Sequence, residues 1–206
     1  MKVLLINGSP HVGGNTAFAL AQMEDIFRQA GVDTEIIQVG SQLIRGCNGC
    51  GSCYKIGKCV FEDCVNETAE KLQNADGLVI GSPVYYASPN GTLLSFLDRL
   101  FYSTGKIDKR MKVGASVVVA RRGGCTAAMD VLNKYFTISE MPVASSTYWN
   151  MIHGGKPGDA QQDAEGVRTM RNLAKNMVFL MRGIASEKNV SGLPQPEPKV
   201  FTNFIR

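Results

Sequence analysis

Three short runs of apolar residues, 3–7, 77–82 and 113–120, each stop at a loop rich in Gly, Ser, Pro or Arg. Runs of this length bounded by turn residues read as strands buried on both faces. Residues 33–39 alternate well enough to be a further strand, and 141–145 read as a fifth. Helical patterns lie between them: from Asn15-Thr16 to about 30, across 67–75, across 126–136, and from the cap Asp163 to about 182. Another starts at the cap Asn90 and carries Leu93, Leu94, Leu97 and Leu100 on one face. Strands alternating with crossover helices predict a parallel sheet covered on both sides. A chain of 206 residues is long enough for one such domain, spanning 1–206. It would carry a cysteine-rich insert at about 41–64. An extended tail at about 183–206 would hold Pro194, Pro196 and Pro198.

Five parallel strands of this kind suit the order 2-1-3-4-5, a flavodoxin-like three-layer sandwich. Ligands of such sheets bind beyond the carboxyl ends of the strands, where the strand order reverses. That rule gathers the loops 8–16, 83–90 and 121–125 into one site.

The first loop, Gly8-Ser9-Pro10-His11-Val12-Gly13-Gly14-Asn15-Thr16, joins a buried strand to a helix. Glycines let its N–H groups converge, and the helix start favours an anion. Ser9, Asn15 and Thr16 add side-chain donors beside Gly14. His11 could reach the same anion, although a solvated loop histidine is the plainer reading. No Lys-Ser/Thr pair follows, so this is no nucleoside triphosphate loop, and G-x-G-x-x-G is missing. A phosphate monoester remains, with FMN the obvious candidate; a plain helix-capping turn is the bland alternative. In the second loop, Pro83 and Pro89 stiffen the chain around Val84, Tyr85, Tyr86 and Ser88. A tyrosine there suits stacking on a flat ring. In the third, Arg121, Arg122, Gly123 and Gly124 bring positive charge and N–H groups that would favour a reduced, anionic ring.

Four of the six cysteines fall within thirteen residues, spaced C-x2-C-x2-C-x5-C as Cys47, Cys50, Cys53 and Cys59. Thiolates select soft metals, and this spacing can wrap an iron–sulfur cluster more readily than it can form paired zinc knuckles. A thiol-rich loop without metal fits the same residues. Cys64 is a competing fourth ligand, and Cys125 reads as a small packing residue.

A formal charge of +4 is mild, and no dense basic stripe marks a nucleic-acid binder. No apolar run is long enough to span a bilayer. The start breaks at Asn7-Gly8 before any signal peptide can form, so the expected compartment is the cytoplasm, where clustered thiols suggest metal or redox chemistry.

With Asn7-Gly8-Ser9-Pro10, Asn15-Thr16, the cysteine insert and Gly81-Ser82-Pro83-Val84-Tyr85-Tyr86 in view, the sequence resembles the NADPH-dependent FMN reductase family. The resemblance is to its iron–sulfur flavoprotein branch. Asp98-Arg99, the stretch from Tyr148 to Gly154 and the closing residues 201–206 add to it. The resemblance implies FMN held at its phosphate by the first loop and along its ring by 83–88. It implies a [4Fe–4S] cluster on a motif spaced like Cys47, Cys50, Cys53 and Cys59, and a homodimer or homotetramer. The expected activity takes hydride from NAD(P)H and passes electrons to a flavin, a quinone-like small molecule or a redox protein. Apart from the resemblance, Trp149 and His153 sit on a long glycine-bearing loop that could form a flap over the ring, with interface packing for Trp149 and an exposed loop position for His153 as equal alternatives. A flavodoxin-type electron carrier is the competing class, and a zinc-knuckle interaction module the third.

Overall fold

Alternate residues of the first strand point into opposite layers. This is what a continuous apolar run requires when it is covered on both faces. In the computed structural model, which describes residues 1–205, Val3 and Leu5 meet one helical layer while Leu4 and Ile6 meet the other. Arg206, the last residue of the expected tail, lies outside the described residues.

The elements run β1 (Lys2–Asn7), α1 (Asn15–Gln29), β2 (Asp33–Gln38), α2 (Cys53–Ile56), α3 (Cys64–Gln73), β3 (Gly77–Tyr85), β4 (Ser88–Pro89), α4 (Gly91–Ser103), β5 (Val113–Ala120), α5 (Cys125–Thr137), β6 (Met151–His153) and α6 (Ala164–Ser191). The sheet order is β2-β1-β3-β5-β6, with β4 folded back antiparallel on β3. Leaving β4 aside, the parallel strands follow the expected 2-1-3-4-5 order.

One layer is α1 and α6, where Leu20, Met23, Phe27, Met170 and Met177 pack on Val79, Ala115 and Val117. The other is α3, α4 and α5, where Leu72, Phe96, Leu97, Leu132 and Phe136 pack on Leu78, Ile80 and Val118. Each such side chain, removed wholly from water, contributes about 1.5–3 kcal/mol before entropy is counted. Gly114 is needed in β5 because a Cβ there would stand 2.5 Å from the Phe136 ring. On α4, Leu93, Leu97 and Leu100 are buried with Phe96, whereas Leu94 is only half-buried.

Three boundaries differ from the sequence reading. Residues 141–145 form only an isolated bridge, Gly114 with Val143, and the last strand is β6. Pro142 interrupts that segment and has no N–H to donate to a ladder. The last helix continues to Ser191 and stops at Gly192, whose φ of +75° is left-handed. The tail is therefore shorter than expected, because 183–191 contains no proline and the helix carries Gly183 in its interior. Finally, β3 runs on to Tyr85, so the expected loop 83–89 is largely a hairpin, with Val84 paired to Pro89 and Tyr85 to Ser88. Its two turn residues, Tyr86 and Ala87, have φ of +50° and +57°. Such a tight turn prefers Asn-Gly, and a bulky residue there is strained.

Candidate functional site

The loops after β1, β3 and β5 meet at the carboxyl edge of the sheet. They enclose an open cavity of about 290 Å3 together with the segment after β6. Ser9, His11, Gly14, Asn15, Thr16, Pro83, Val84, Tyr85 and Arg121 all line it. The phosphate loop is held from below. The Gly8 N–H donates to the Gly81 carbonyl at 2.8 Å, and the Ser9 N–H to Asn7 Oδ1 at 3.1 Å. Ser9 Oγ accepts from the His11 N–H at 3.1 Å, which leaves its own proton free to donate outward.

The start of α1 is built differently from those of three other helices. Asp63, Asn90 and Asp163 cap α3, α4 and α6 with their side chains. At α1 the cap is Gly14, with no side-chain acceptor. The first N–H groups of a helix have no partner inside it, so here they remain available to an anion in the cavity.

Asn15 ties this loop to the far wall. Its Nδ2 donates to the Lys156 carbonyl at 2.9 Å, and its Oδ1 accepts from the Ala160 N–H at 3.3 Å. Gly154 passes so close that a Cβ would stand 2.7 Å from Asn15 Nδ2. A Cβ on Gly155 would stand 3.1 Å from the Arg121 side chain.

The structure does not bring every expected residue to the cavity. Tyr86, Ser88, Arg122, Gly123 and Gly124 lie outside its lining. Tyr86 is fully exposed at the hairpin tip, and Ser88 is paired with Tyr85. Gly124, with φ of +93°, underlies the hairpin, where a Cβ would meet Ala87 and Val84. Trp149 and His153 do not line the cavity either. Trp149 stacks edge-on against Tyr148 with ring centres 5.1 Å apart. His153 is held in β6, its N–H donating to Asp163 Oδ2 at 2.7 Å. The wall opposite the phosphate loop is made instead by Gly154, Gly155 and Pro157, with Val119 and Ala120 at the end of β5. The Gly-Gly pair just after Met151-Ile152-His153 was the available signal for that wall.

A second small cavity, about 20 Å3, is bordered by Cys47, Cys50, Cys53 and Cys59 together, with Phe61, Arg99 and Tyr102. Cys64 is not part of it; as the first residue of α3 it packs beside the core. Burial, then Asp63 and Glu67, push the Cys64 thiol up, whereas hydrogen bonds from Ser52 hold the Cys50 thiol down. Burial also raises Cys125, in keeping with a packing role. Among the described residues no group of three or more His, Cys, Asp or Glu is gathered tightly enough to hold one metal ion. Four thiols that border one gap are the soft donor set an iron–sulfur cluster takes.

The largest cavity, about 710 Å3, lies elsewhere, between the C-terminal ends of α4 and α5 and the tail. It faces away from the strands' carboxyl ends. Two of its cations, Lys109 and Arg110, are already engaged, with the Thr104 carbonyl and with Asp108, while Lys106 and Lys199 also line it. Size alone does not make it the reactive site.

Residues 1–156 match the family model of NADPH-dependent FMN reductase. The chain belongs to that family. Within it, the chain falls in the iron–sulfur flavoprotein branch. It is 32% identical over 189 residues to an iron–sulfur flavoprotein of Methanocaldococcus jannaschii, covering 88% of this chain and 98% of that protein. It is also 32% identical over 191 residues to one from Archaeoglobus fulgidus, covering 86% and 94%. Solved structures agree on the fold. RosB, determined with bound 8-demethyl-8-formylriboflavin-5'-phosphate, superposes with a TM-score of 0.69 at 15% identity over 100% of this chain and 94% of that one. An NAD(P)H:quinone oxidoreductase from Methanothermobacter marburgensis gives 0.66 at 16% identity over 86% and 96%. Among the described residues no helix is long and apolar enough to cross a membrane.

Proposed function

We propose that this flavoprotein oxidoreductase binds FMN in the 290 Å3 cavity, oxidises NAD(P)H there, and carries a [4Fe–4S] cluster on Cys47, Cys50, Cys53 and Cys59. The observation that carries the reading is the convergence of three strand-end loops beside a helix start left without a side-chain cap.

Ser9 Oγ, the hydroxyl of Thr16 and the first N–H groups of α1 hold the phosphate. Asn15 ties the opposite wall to this loop through Lys156 and Ala160, and its second Nδ2 hydrogen remains to donate to the ligand. Pro83, Val84 and Tyr85 lie along one side of the ring, and Gly154 and Gly155 along the other. Small residues on that second side admit a nicotinamide in stacking contact. Arg121 adds positive charge at the mouth, favouring a ring that gains electrons. Bound FMN supplies hydride acceptance, which no side chain here can provide. The cysteine quartet, when loaded, supplies single-electron exchange with a protein partner. A flavin, a quinone-like molecule or a redox protein would serve as final acceptor. Assembly as a homodimer or homotetramer, in a cytoplasmic setting, accords with this role.

The test is anaerobic. NADH or NADPH is added to purified protein and the flavin band is followed, with iron and acid-labile sulfide counted on the same sample. Rapid bleaching is expected with at least one nucleotide. Bleaching by reduced ferredoxin but by neither nucleotide would make the protein an electron carrier instead.

A further inference from the structure

Arg99 is almost wholly buried, at 1% exposure, and it is among the largest side chains so hidden. It stands on α4 among core residues, yet every polar partner of its guanidinium belongs to residues 45–63. Nε and Nη2 each lie 3.3 Å from Cys59 Sγ. Nη1 and Nη2 donate to the two Asp63 carboxylate oxygens at 2.6 and 3.0 Å. Nη2 also reaches the Phe61 carbonyl at 3.3 Å, and Nη1 the Arg45 carbonyl at 3.5 Å. The Phe61 ring centre lies 5.1 Å from the guanidinium carbon.

Only a planar fork with five N–H donors can serve a sulfur, a carboxylate and two carbonyls together. An arginine retained merely to pin the segment on α4 needs the carboxylate and the carbonyls. It has no need of two N–H groups on one thiol sulfur. Among the described residues, Arg99 is also the one cation bordering the cavity that the four cysteines share.

We propose that Arg99 is a positioning residue for the iron–sulfur cluster, an inference that rests on the cluster reading above. It aims Cys59 Sγ into the shared cavity and, through two hydrogen bonds to that sulfur, stabilises the reduced cluster relative to the oxidised one. Hydrogen bonds to ligating sulfurs are a principal lever on such potentials. Asp63 offsets the guanidinium charge, so the paired N–H groups carry the effect and a lysine cannot replace them.

Wild type, Arg99→Lys, Arg99→Gln and Asp63→Asn are purified anaerobically. Iron and acid-labile sulfide are counted, the cluster midpoint potential is titrated by EPR, and folding is checked by circular dichroism. Arg99→Lys is expected to fold, to shift the midpoint negative, and to show on air exposure the three-iron signal of a cubane that has lost one corner. Asp63→Asn keeps an oxygen to cap α3 and keeps the Arg99–Cys59 contact. It is expected to shift the midpoint the other way. Full iron with an unchanged midpoint in both Arg99 variants overturns the proposal. Should neither Arg99 variant fold, Asp63→Asn decides, and an unchanged or more negative midpoint overturns it. A wild type that takes up no iron overturns the cluster reading and this inference together, whereas a loaded wild type indifferent to Arg99 overturns this inference alone.

Discussion

Replacing Gly154 by alanine should weaken FMN binding by loosening the wall that Asn15 holds in place. The new Cβ would stand 2.7 Å from Asn15 Nδ2 and 2.8 Å from the Ala160 nitrogen, inside ordinary contact on both sides. The Ala160 backbone cannot rotate away, so Asn15 must. In doing so it gives up its hydrogen bonds to Lys156 and Ala160, at 2.9 and 3.3 Å. Two such bonds, each worth about 0.5–1.5 kcal/mol, put the cost at about 1–3 kcal/mol. The free protein relieves part of this by letting the loop move. Binding requires the loop in place, so the relieved part returns as lost affinity, roughly 5- to 150-fold if all of it returns. Flavin fluorescence quenching measures the affinity, and urea unfolding measures the remainder. Gly13→Ala, in the loop that carries Asn15, is the control, since a Cβ there meets nothing within 4 Å. A cycle with Asn15→Ala should be strongly non-additive, because both changes remove the same bonds. A Gly154→Ala protein that binds FMN within about twofold of wild type and unfolds at the same urea concentration would refute the reasoning.

Cys64→Ser should leave the iron content unchanged while Cys59→Ser lowers it, as iron and sulfide assays on the two variants will read. Replacing the strained turn pair, Tyr86→Asn with Ala87→Gly, should raise the thermal midpoint by the equivalent of about 1–2 kcal/mol, checked by calorimetry. Asp108 is held down at about 2 by Arg110, so its contribution to stability is complete above its ordinary 3.8 and fades as the pH falls through about 2. Because its side chain is half exposed, solvent screening leaves about 0.5 kcal/mol, and Asp108→Asn should flatten acid unfolding across that window by no more. Asp163→Ala removes both the α6 cap and the acceptor for the His153 N–H, and should cost about 1–2 kcal/mol in urea unfolding.

The strand order and the phosphate loop were legible because their signals are local. A buried run, a glycine loop and a helix start occupy one short stretch from Val3 to Thr16. The ring side was legible in part. Pro83, Val84 and Tyr85 were identified, but the hairpin that turns Tyr86 outward depends on pairing with Ser88 and Pro89, which no period in the sequence announces. The last strand was misplaced because 141–145 is more apolar than Met151–His153, while its register against β5 is broken at Pro142. That error hid the Gly154-Gly155 wall, which follows directly from β6. The choice between Cys59 and Cys64 depends on how the insert lies across α4, and Arg99, some forty residues away, fixes that contact.

The final strand contributes three residues to β5, and Val143 adds a single bridge before it. At the opposite border, β2 presents Asp33 and Glu35. Neither margin offers the long, neutral template on which sheets from different molecules add to one another. Any joining of copies of this chain would therefore leave the sheet as finite in the assembly as in the lone subunit.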